Sequence, residues 1–216
     1  IKNPDGYPYT MKDLPAGEYA VQAVMHTNLD GPHSGTAPGN LYSKPVTVDI
    51  KDDEPQTVTL KIKKQIPPDT RSMKSDTMKS VEMRSECLSK FHGRDIYMRA
   101  ILSIPPEYAK DEKRKFPAIY IIPGFGGDEF EAAGMSGMYG KSETPFVRIG
   151  LNPTCPLGHS VFADSENNGP WGRALIEEFI PYLEKNFRLI SEPYARMLTG
   201  HSSGGWSSLW LQISYP

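Results

Sequence analysis

The sequence predicts an α/β domain over residues 81–216, preceded by part of an antiparallel β-sandwich domain over residues 1–66 and a linker over residues 67–80. In the first region apolar residues alternate with polar ones, which is typical of half-buried antiparallel strands. The second region holds a continuously apolar run and then alternating strand and helix patterns, which indicates a mostly parallel sheet with crossover helices. The stretch Ile66-Pro67-Pro68 separates the two regions, as a stiff linker would.

Three segments of the first region have the period of two, at 17–26, 41–50 and 56–66. Glycine, proline, asparagine and aspartate bound them, as expected for strands joined by turns and loops. Three strands are too few to close a sandwich, which usually has about seven. We therefore expect part of an immunoglobulin-like domain whose front lies outside this sequence.

The α/β region begins with two predicted strands, at 81–88 and 96–104, joined by a hairpin turn at 92–95. The apolar run 116–123 then predicts a central strand that is covered on both faces, and it leads into Gly124-Phe125-Gly126-Gly127-Asp128. A glycine-rich loop at the carboxyl end of a buried strand can present backbone N–H groups to a ligand. A tight turn without any function fits the same residues.

Four further segments continue the alternation of elements. Residues 132–142, rich in glycine, methionine and serine, are predicted to form a mobile flap, and 146–151 a strand. The loop over 152–172 is long for a compact domain, and loops of that length are usually functional. An apolar stripe over 175–187 predicts a helix, which Pro181 should kink.

The pentapeptide Gly200-His201-Ser202-Ser203-Gly204 carries the clearest chemical signal. An apolar run precedes it and helical spacing of apolar residues follows it, so strand, sharp turn and helix succeed one another as in a nucleophile elbow. Such a turn lifts the hydroxyl of Ser202 clear of the sheet. Glycines are needed on either side because a Cβ would collide with the neighbouring strand or helix. A glycine-rich turn without catalysis is the alternative.

Composition excludes few classes of function. The formal net charge of -2 gives no reason to expect a nucleic acid or an anionic membrane as partner. No apolar run approaches the roughly 18 residues of a membrane span. There is no leader sequence, and the first residue is Ile1, so we expect an excerpt of a longer chain. Cys87 and Cys155 allow one disulfide or two free thiols.

Residues from about 81 to 216 resemble the esterase branch of the α/β-hydrolase fold, which includes feruloyl and acetyl-xylan esterases, enterochelin esterases and S-formylglutathione hydrolase. The matching parts, in order, are Gly124-Phe125-Gly126-Gly127 after the buried strand, 168–172, the helix at 177–187 and the motif at 200–205. Several motifs in the right order make the resemblance specific for the superfamily. They are not specific for a substrate.

The resemblance implies a serine hydrolase in which Ser202 attacks an ester carbonyl and forms an acyl-enzyme. The oxyanion would be held by the backbone N–H of Ser203 and by that of Phe125 or Gly126. No metal and no organic cofactor are implied. The expected substrate is a small-molecule or glycan-linked ester, and a β domain ahead of an esterase domain suits a secreted or periplasmic enzyme.

The sequence departs from the family in its catalytic triad, which runs Ser, then Asp or Glu, then His along the chain. None of the fourteen residues after Ser202 is acidic or histidine, so we expect both partners to lie outside this sequence and predict that this chain alone has little or no esterase activity. His201 is an unsuitable base because a residue adjacent to the nucleophile in a tight turn generally points elsewhere. His159, Trp171 and His201 are candidates for lining the substrate pocket.

Two rival functions stay open. One is a serine peptidase of the prolyl-oligopeptidase type, which also pairs a β domain with this hydrolase core. The other is a binding protein that uses the hydrolase fold as a scaffold without catalysis. Esterase is favoured because a scaffold has no physical need for both a glycine-rich loop and an elbow. The acyl group, the alcohol and the oligomeric state are not predicted.

Overall fold

The computed structural model describes residues 14–30, 35–51, 56–135, 143–156 and 158–216. These residues fall into two compact units, and the main division comes after Asp69, within the predicted linker. No helix in the described ranges is long and apolar enough to cross a membrane.

The first unit consists of short antiparallel strands. They are β1 (Gly17–Val21), β2 (Val24–Met25), β3 (Leu41–Ser43), β4 (Val46–Ile50) and β5 (Ile62–Gln65). Strand β1 pairs with β4, whereas β3 lies between β2 and β5. Residues 56–61, predicted as strand, lie in no strand, and this part of the prediction was wrong. Val58 in this segment is exposed, so little apolar burial is available to fix the backbone as a strand.

In its described residues, the second unit contains nine strands. They are β6 (Met78–Ser85), β7 (Ile96–Ser103), β8 (Ala118–Ile122), β9 (Val147–Leu151), β10 (Thr154–Cys155), β11 (Gly158–His159), β12 (Asp164–Ser165), β13 (Gly169–Pro170) and β14 (Arg196–Gly200). Five of them form one sheet in the order β14-β8-β9-β7-β6. The pairs β14-β8 and β8-β9 are parallel, whereas β7 is antiparallel to both of its neighbours. The expected mostly parallel sheet is therefore a mixed one.

Strand β8 has a neighbouring strand on each side in the described sheet and is almost fully buried, as its continuously apolar sequence predicts. Its register with β14 pairs Ile122 with Gly200, so the two parallel strands end side by side. At the other end of β14, Arg196 forms a two-pronged ion pair with Glu184, at 2.6 and 2.9 Å. Because β8 and β14 are parallel and end side by side, the loops that follow them leave the sheet at the same edge.

The predicted hairpin at 92–95 is wrong, because a helix, α1 (Glu86–His92), lies between β6 and β7. The side chain of Ser85 caps this helix by accepting a hydrogen bond from the Leu88 N–H at 3.2 Å, and Gly93 ends it with a left-handed φ of 67°. The carboxylate of Glu178 accepts hydrogen bonds from the N–H groups of Glu86 and Cys87. Strand β6 also starts at Met78, within the predicted linker.

The described part of the unit holds four more α-helices: α2 (Glu129–Met135), α3 (Trp171–Arg173), α4 (Ile180–Asn186) and α5 (Ser203–Ser214). Residues 132–135, predicted to belong to a flap, are helical, and 136–142 lie outside the described residues. A π-helical segment, Ala174–Phe179, joins α3 to α4 just before Pro181. A wider turn there accommodates a proline that cannot donate a backbone hydrogen bond.

Both cysteines are free thiols. Cys155 is fully buried in the apolar core, and this burial raises the pKa of its thiol to about 11. The thiol of Cys87 is half-buried, and burial raises its pKa as well. Both groups are therefore protonated near neutral pH, which makes them poor nucleophiles.

Candidate active site

Ser202 lies at the sharp turn between β14 and α5. Its backbone has φ 55° and ψ -120°, a conformation that an L-residue adopts only under strain, at a cost of about 1–3 kcal/mol. Its side chain is exposed at the carboxyl edge of the sheet. This strained strand-to-helix turn is the geometry of a nucleophile elbow.

The glycines on either side of Ser202 are required by close backbone contacts. A Cβ on Gly200 would lie 2.3 Å from the carbonyl carbon of Gly204, in the first turn of α5. A Cβ on Gly204 would lie 2.1 Å from the carbonyl oxygen of Ile122 and 2.7 Å from that of Pro123, at the end of β8. The absence of both side chains lets α5 start directly against the sheet, as the sequence predicts.

The loop after β8 is a tight turn that lies beside Ser202. The Gly127 N–H donates to the carbonyl of Gly124 at 3.0 Å, and Gly126 has the φ of 82° that a type II turn requires at its third position. A Cβ built on Gly124 would be 3.7 Å from the Cβ of Ser202. The turn presents Phe125, whose side chain is 76% exposed.

Backbone N–H groups are available on both sides of the serine. The first turn of α5 uses the N–H groups of Gly204 and Gly205, which donate to the carbonyls of His201 and Ser202. Within the described ranges, the N–H groups of Ser203, Phe125 and Gly126 donate to no protein acceptor. The positive end of the α5 dipole also lies at Ser202, so the site is suited to a developing negative charge.

The three predicted pocket-lining residues differ in position. The ring of His159 stacks on that of Phe125, with centroids 5.6 Å apart and planes at 27°. The ring of His201 lies beside the Gly124–Gly127 turn: its Nδ1 atom is 3.5 Å from the position that a Cβ on Gly124 would occupy. Trp171 is 1% exposed, belongs to the hydrophobic core and donates from its indole N–H to the carbonyl of Asn168 at 2.7 Å. This burial gives Trp171 a packing role and no surface to offer a substrate.

Sequence reasoning missed two features next to the site. Val161 and Phe162 have φ angles of 49° and 50°, and no sequence signal predicts this because valine and phenylalanine rarely adopt the left-handed region. The carboxylate of Asp164 accepts from the Gly172 and Arg173 N–H groups at 2.8 and 3.1 Å, so it closes the long loop onto the start of α3. No N-cap pattern indicated this contact, because Asp164 lies seven residues before the start of α3 at Trp171.

The mixed sheet, the elbow at Ser202 and the adjacent glycine turn together define the α/β-hydrolase fold. Solved structures agree. A ferulic acid esterase superimposes with a TM-score of 0.52 at 18% identity, over 64% of this chain and 55% of that protein. An S-formylglutathione hydrolase from Agrobacterium tumefaciens gives 0.50 at 14% identity, over 64% and 53%. FphF, a fluorophosphonate-binding serine hydrolase of Staphylococcus aureus, gives 0.50 at 16% identity, over 63% and 51%.

The model of the family described as "Putative esterase" matches residues 92–216, more than half of the chain. The chain therefore belongs to this esterase family. It is also 27% identical over 130 residues to the uncharacterized protein YbbA of Bacillus subtilis (strain 168). The aligned region covers 55% of this chain and 52% of YbbA. The chain thus spans about half the length of these relatives.

Proposed function

We propose that this protein is a serine esterase and that Ser202 is its nucleophile. The observation that carries the proposal is the strained, exposed Ser202, whose Cβ lies within van der Waals reach of the position a Gly124 side chain would occupy. Membership of the esterase family supports the reaction class.

In the proposed reaction, Ser202 Oγ forms a bond to the carbonyl carbon of a carboxylic ester and gives up its proton to a base. The carbonyl π electrons move to oxygen, and the resulting oxyanion accepts hydrogen bonds from the Ser203 N–H and from the N–H of Phe125 or Gly126. Collapse expels the alcohol and leaves an acyl-enzyme, which water then cleaves. Loss of one oxyanion donor typically costs about 2.7–4 kcal/mol in this step.

The base is the part of the mechanism for which the described residues offer no group. No histidine and no carboxylate among them forms a hydrogen bond with Ser202 Oγ. A serine without a base is a weak nucleophile near neutral pH. We therefore propose that this chain by itself hydrolyses esters slowly and that an added base raises its rate.

The test is hydrolysis of a chromogenic short-chain ester by the wild-type chain, by Ser202→Ala and by Ser214→Ala, which changes an exposed serine at the end of α5. We expect a slow rate that Ser202→Ala abolishes, that Ser214→Ala preserves and that added imidazole increases only where Ser202 is present. Equal rates for the wild type and Ser202→Ala, with and without imidazole, would show that Ser202 is not the nucleophile. Fast turnover by this chain without imidazole would contradict the proposed lack of a base.

The finer assignments are also proposals. The substrate is a small-molecule or glycan-linked ester, which would meet the exposed ring of Phe125 beside Ser202. The antiparallel strand pairs of the first unit support an immunoglobulin-like domain, and this arrangement suits a secreted or periplasmic enzyme. A panel of peptide and ester substrates separates the proposal from a prolyl-oligopeptidase-type peptidase, since that alternative requires cleavage of a peptide bond.

A further inference from the structure

The β10–β11 ribbon packs against the Gly124–Gly127 turn and the helix that follows it. On one side, His159 of β11 stacks on Phe125 of the turn. On the other side, the Asn152 side-chain amide donates to the carboxylate of Glu129, the first residue of α2. The side-chain Oδ1 of Asn152 accepts from the N–H and hydroxyl of Thr154 at 2.8 and 2.6 Å, and Thr154 pairs with His159 across the ribbon. The ribbon is thus connected to both ends of the loop.

The hydrogen bonds of His159 determine which of its ring nitrogens carries the proton. The N–H of Val161 donates to Nδ1 at 3.2 Å, so Nδ1 is the acceptor and the proton of the neutral ring is on Nε2. His159 is 9% exposed, and burial lowers its pKa, an effect that the backbone carbonyl of Gly124 opposes in part. Nε2 itself is buried, and no described residue completes a hydrogen bond to it in good geometry.

Strained backbone holds this arrangement in place. Val161 and Phe162 are consecutive non-glycine residues at φ 49° and 50°, which costs about 1–3 kcal/mol for each. Ser160 stabilises the turn, because its N–H and its hydroxyl both donate to the carbonyl of Pro153 and its Oγ accepts from the Phe162 N–H at 3.2 Å. The strained turn directs the N–H of Val161 at the ring of His159.

We propose that His159 is a positioning residue for the oxyanion turn. Its ring supports Phe125 by stacking, and its Nε2–H lies towards the backbone carbonyl of Gly124, so that the turn keeps the Phe125 and Gly126 N–H groups beside Ser202. The role of these N–H groups rests on the proposed function, whereas the Nε2–H form of His159 does not.

The first test is the rate at which a fluorophosphonate probe labels Ser202 in the full chain, with added imidazole as the base and with three substitutions of His159. His159→Phe keeps a ring for stacking but has no ring nitrogen, His159→Gln places an amide nitrogen near the position of Nε2, and His159→Asn offers a group near the position of Nδ1 alone. We expect His159→Phe and His159→Asn to slow labelling by about tenfold, less than the about 10²–10³-fold loss of an oxyanion donor itself. His159→Gln should recover most of the rate, with similar saturation by the probe in every variant.

Equal labelling of all four proteins would overturn the proposal. The proposal would also be overturned if all three variants lost labelling rate equally and their thermal unfolding midpoints fell in parallel. Such losses would show only a structural role for His159.

The second test does not depend on reactivity. Long-range ¹H–¹⁵N spectra of the wild-type chain should show the neutral His159 ring with its proton on Nε2, and a proton on Nδ1 would overturn the proposal. If the probe never labels wild-type Ser202, the proposed function fails, and the spectra alone decide the position of the proton.

Discussion

At residue 204, the lack of a side chain lets α5 begin directly against the end of β8. The Cβ of Gly204→Ala would lie 2.1 Å from the Ile122 carbonyl oxygen, and backbone on both sides leaves no flexible group to move away. We expect this substitution to lower the free energy of unfolding by about 3 kcal/mol, the upper range for overpacked sites. Denaturant unfolding measures the change.

Gly134→Ala is the matched control, because a Cβ there meets nothing within 4 Å. Gly134 lies in α2, where alanine is favoured over glycine by up to about 1 kcal/mol. The free energy of unfolding of Gly134→Ala should therefore equal that of the wild type or be slightly higher. A wild-type unfolding midpoint for Gly204→Ala would contradict the packing described at the elbow.

At the scale of elements, α1 is the feature that sequence reasoning missed. The alternating pattern of 81–88 predicts a strand, but the strand ends at Ser85, whose side chain caps the helix. We expect Ser85→Ala to cost about 1–2 kcal/mol, because the Leu88 N–H and the Glu178 carboxylate each lose a hydrogen-bond partner. Lys90→Ala, an exposed change in the same helix, should stay within about 0.5 kcal/mol. An equal effect of the two substitutions on denaturant unfolding would contradict this account of the cap.

The elements that sequence reasoning placed well are those whose pattern depends on burial. Strand β8 is continuously apolar because the sheet is covered there, and α5 begins between Gly200 and Gly204, which a close strand-to-helix turn requires. The direction of β7 could not be predicted, since one strand pattern fits both parallel and antiparallel partners. The contact of His159 with the turn could not be predicted either, because it depends on the left-handed backbone of Val161 and Phe162.

At the scale of the whole molecule, Glu129 makes stability depend on pH. Burial raises the pKa of its carboxyl above the ordinary 4.5, and the hydrogen bond from Asn152 opposes only part of this shift. The folded state therefore holds this proton more tightly than the unfolded state, so the free energy of unfolding falls as pH rises from 4.5 through the raised pKa.

We expect Glu129→Gln to remove this fall, because glutamine keeps an oxygen acceptor for the Asn152 amide and carries no charge. Denaturant unfolding at a series of pH values above 4.5 measures it, with Glu192→Gln as a control at an exposed carboxylate. A pH profile of Glu129→Gln that matches the wild type would show that the folded and unfolded states bind this proton equally.

The claim on which the functional account depends is that the elbow and the Gly124–Gly127 turn together hold an acyl group at Ser202. The most direct measurement is exhaustive labelling of the chain with a fluorophosphonate, with added imidazole as the base, followed by peptide mass spectrometry. The account predicts a phosphonyl adduct on Ser202 Oγ that forms at a saturable rate and is absent from Ser202→Ala. No adduct at Ser202 after prolonged labelling, or adducts spread over other exposed serines at similar rates, would contradict it.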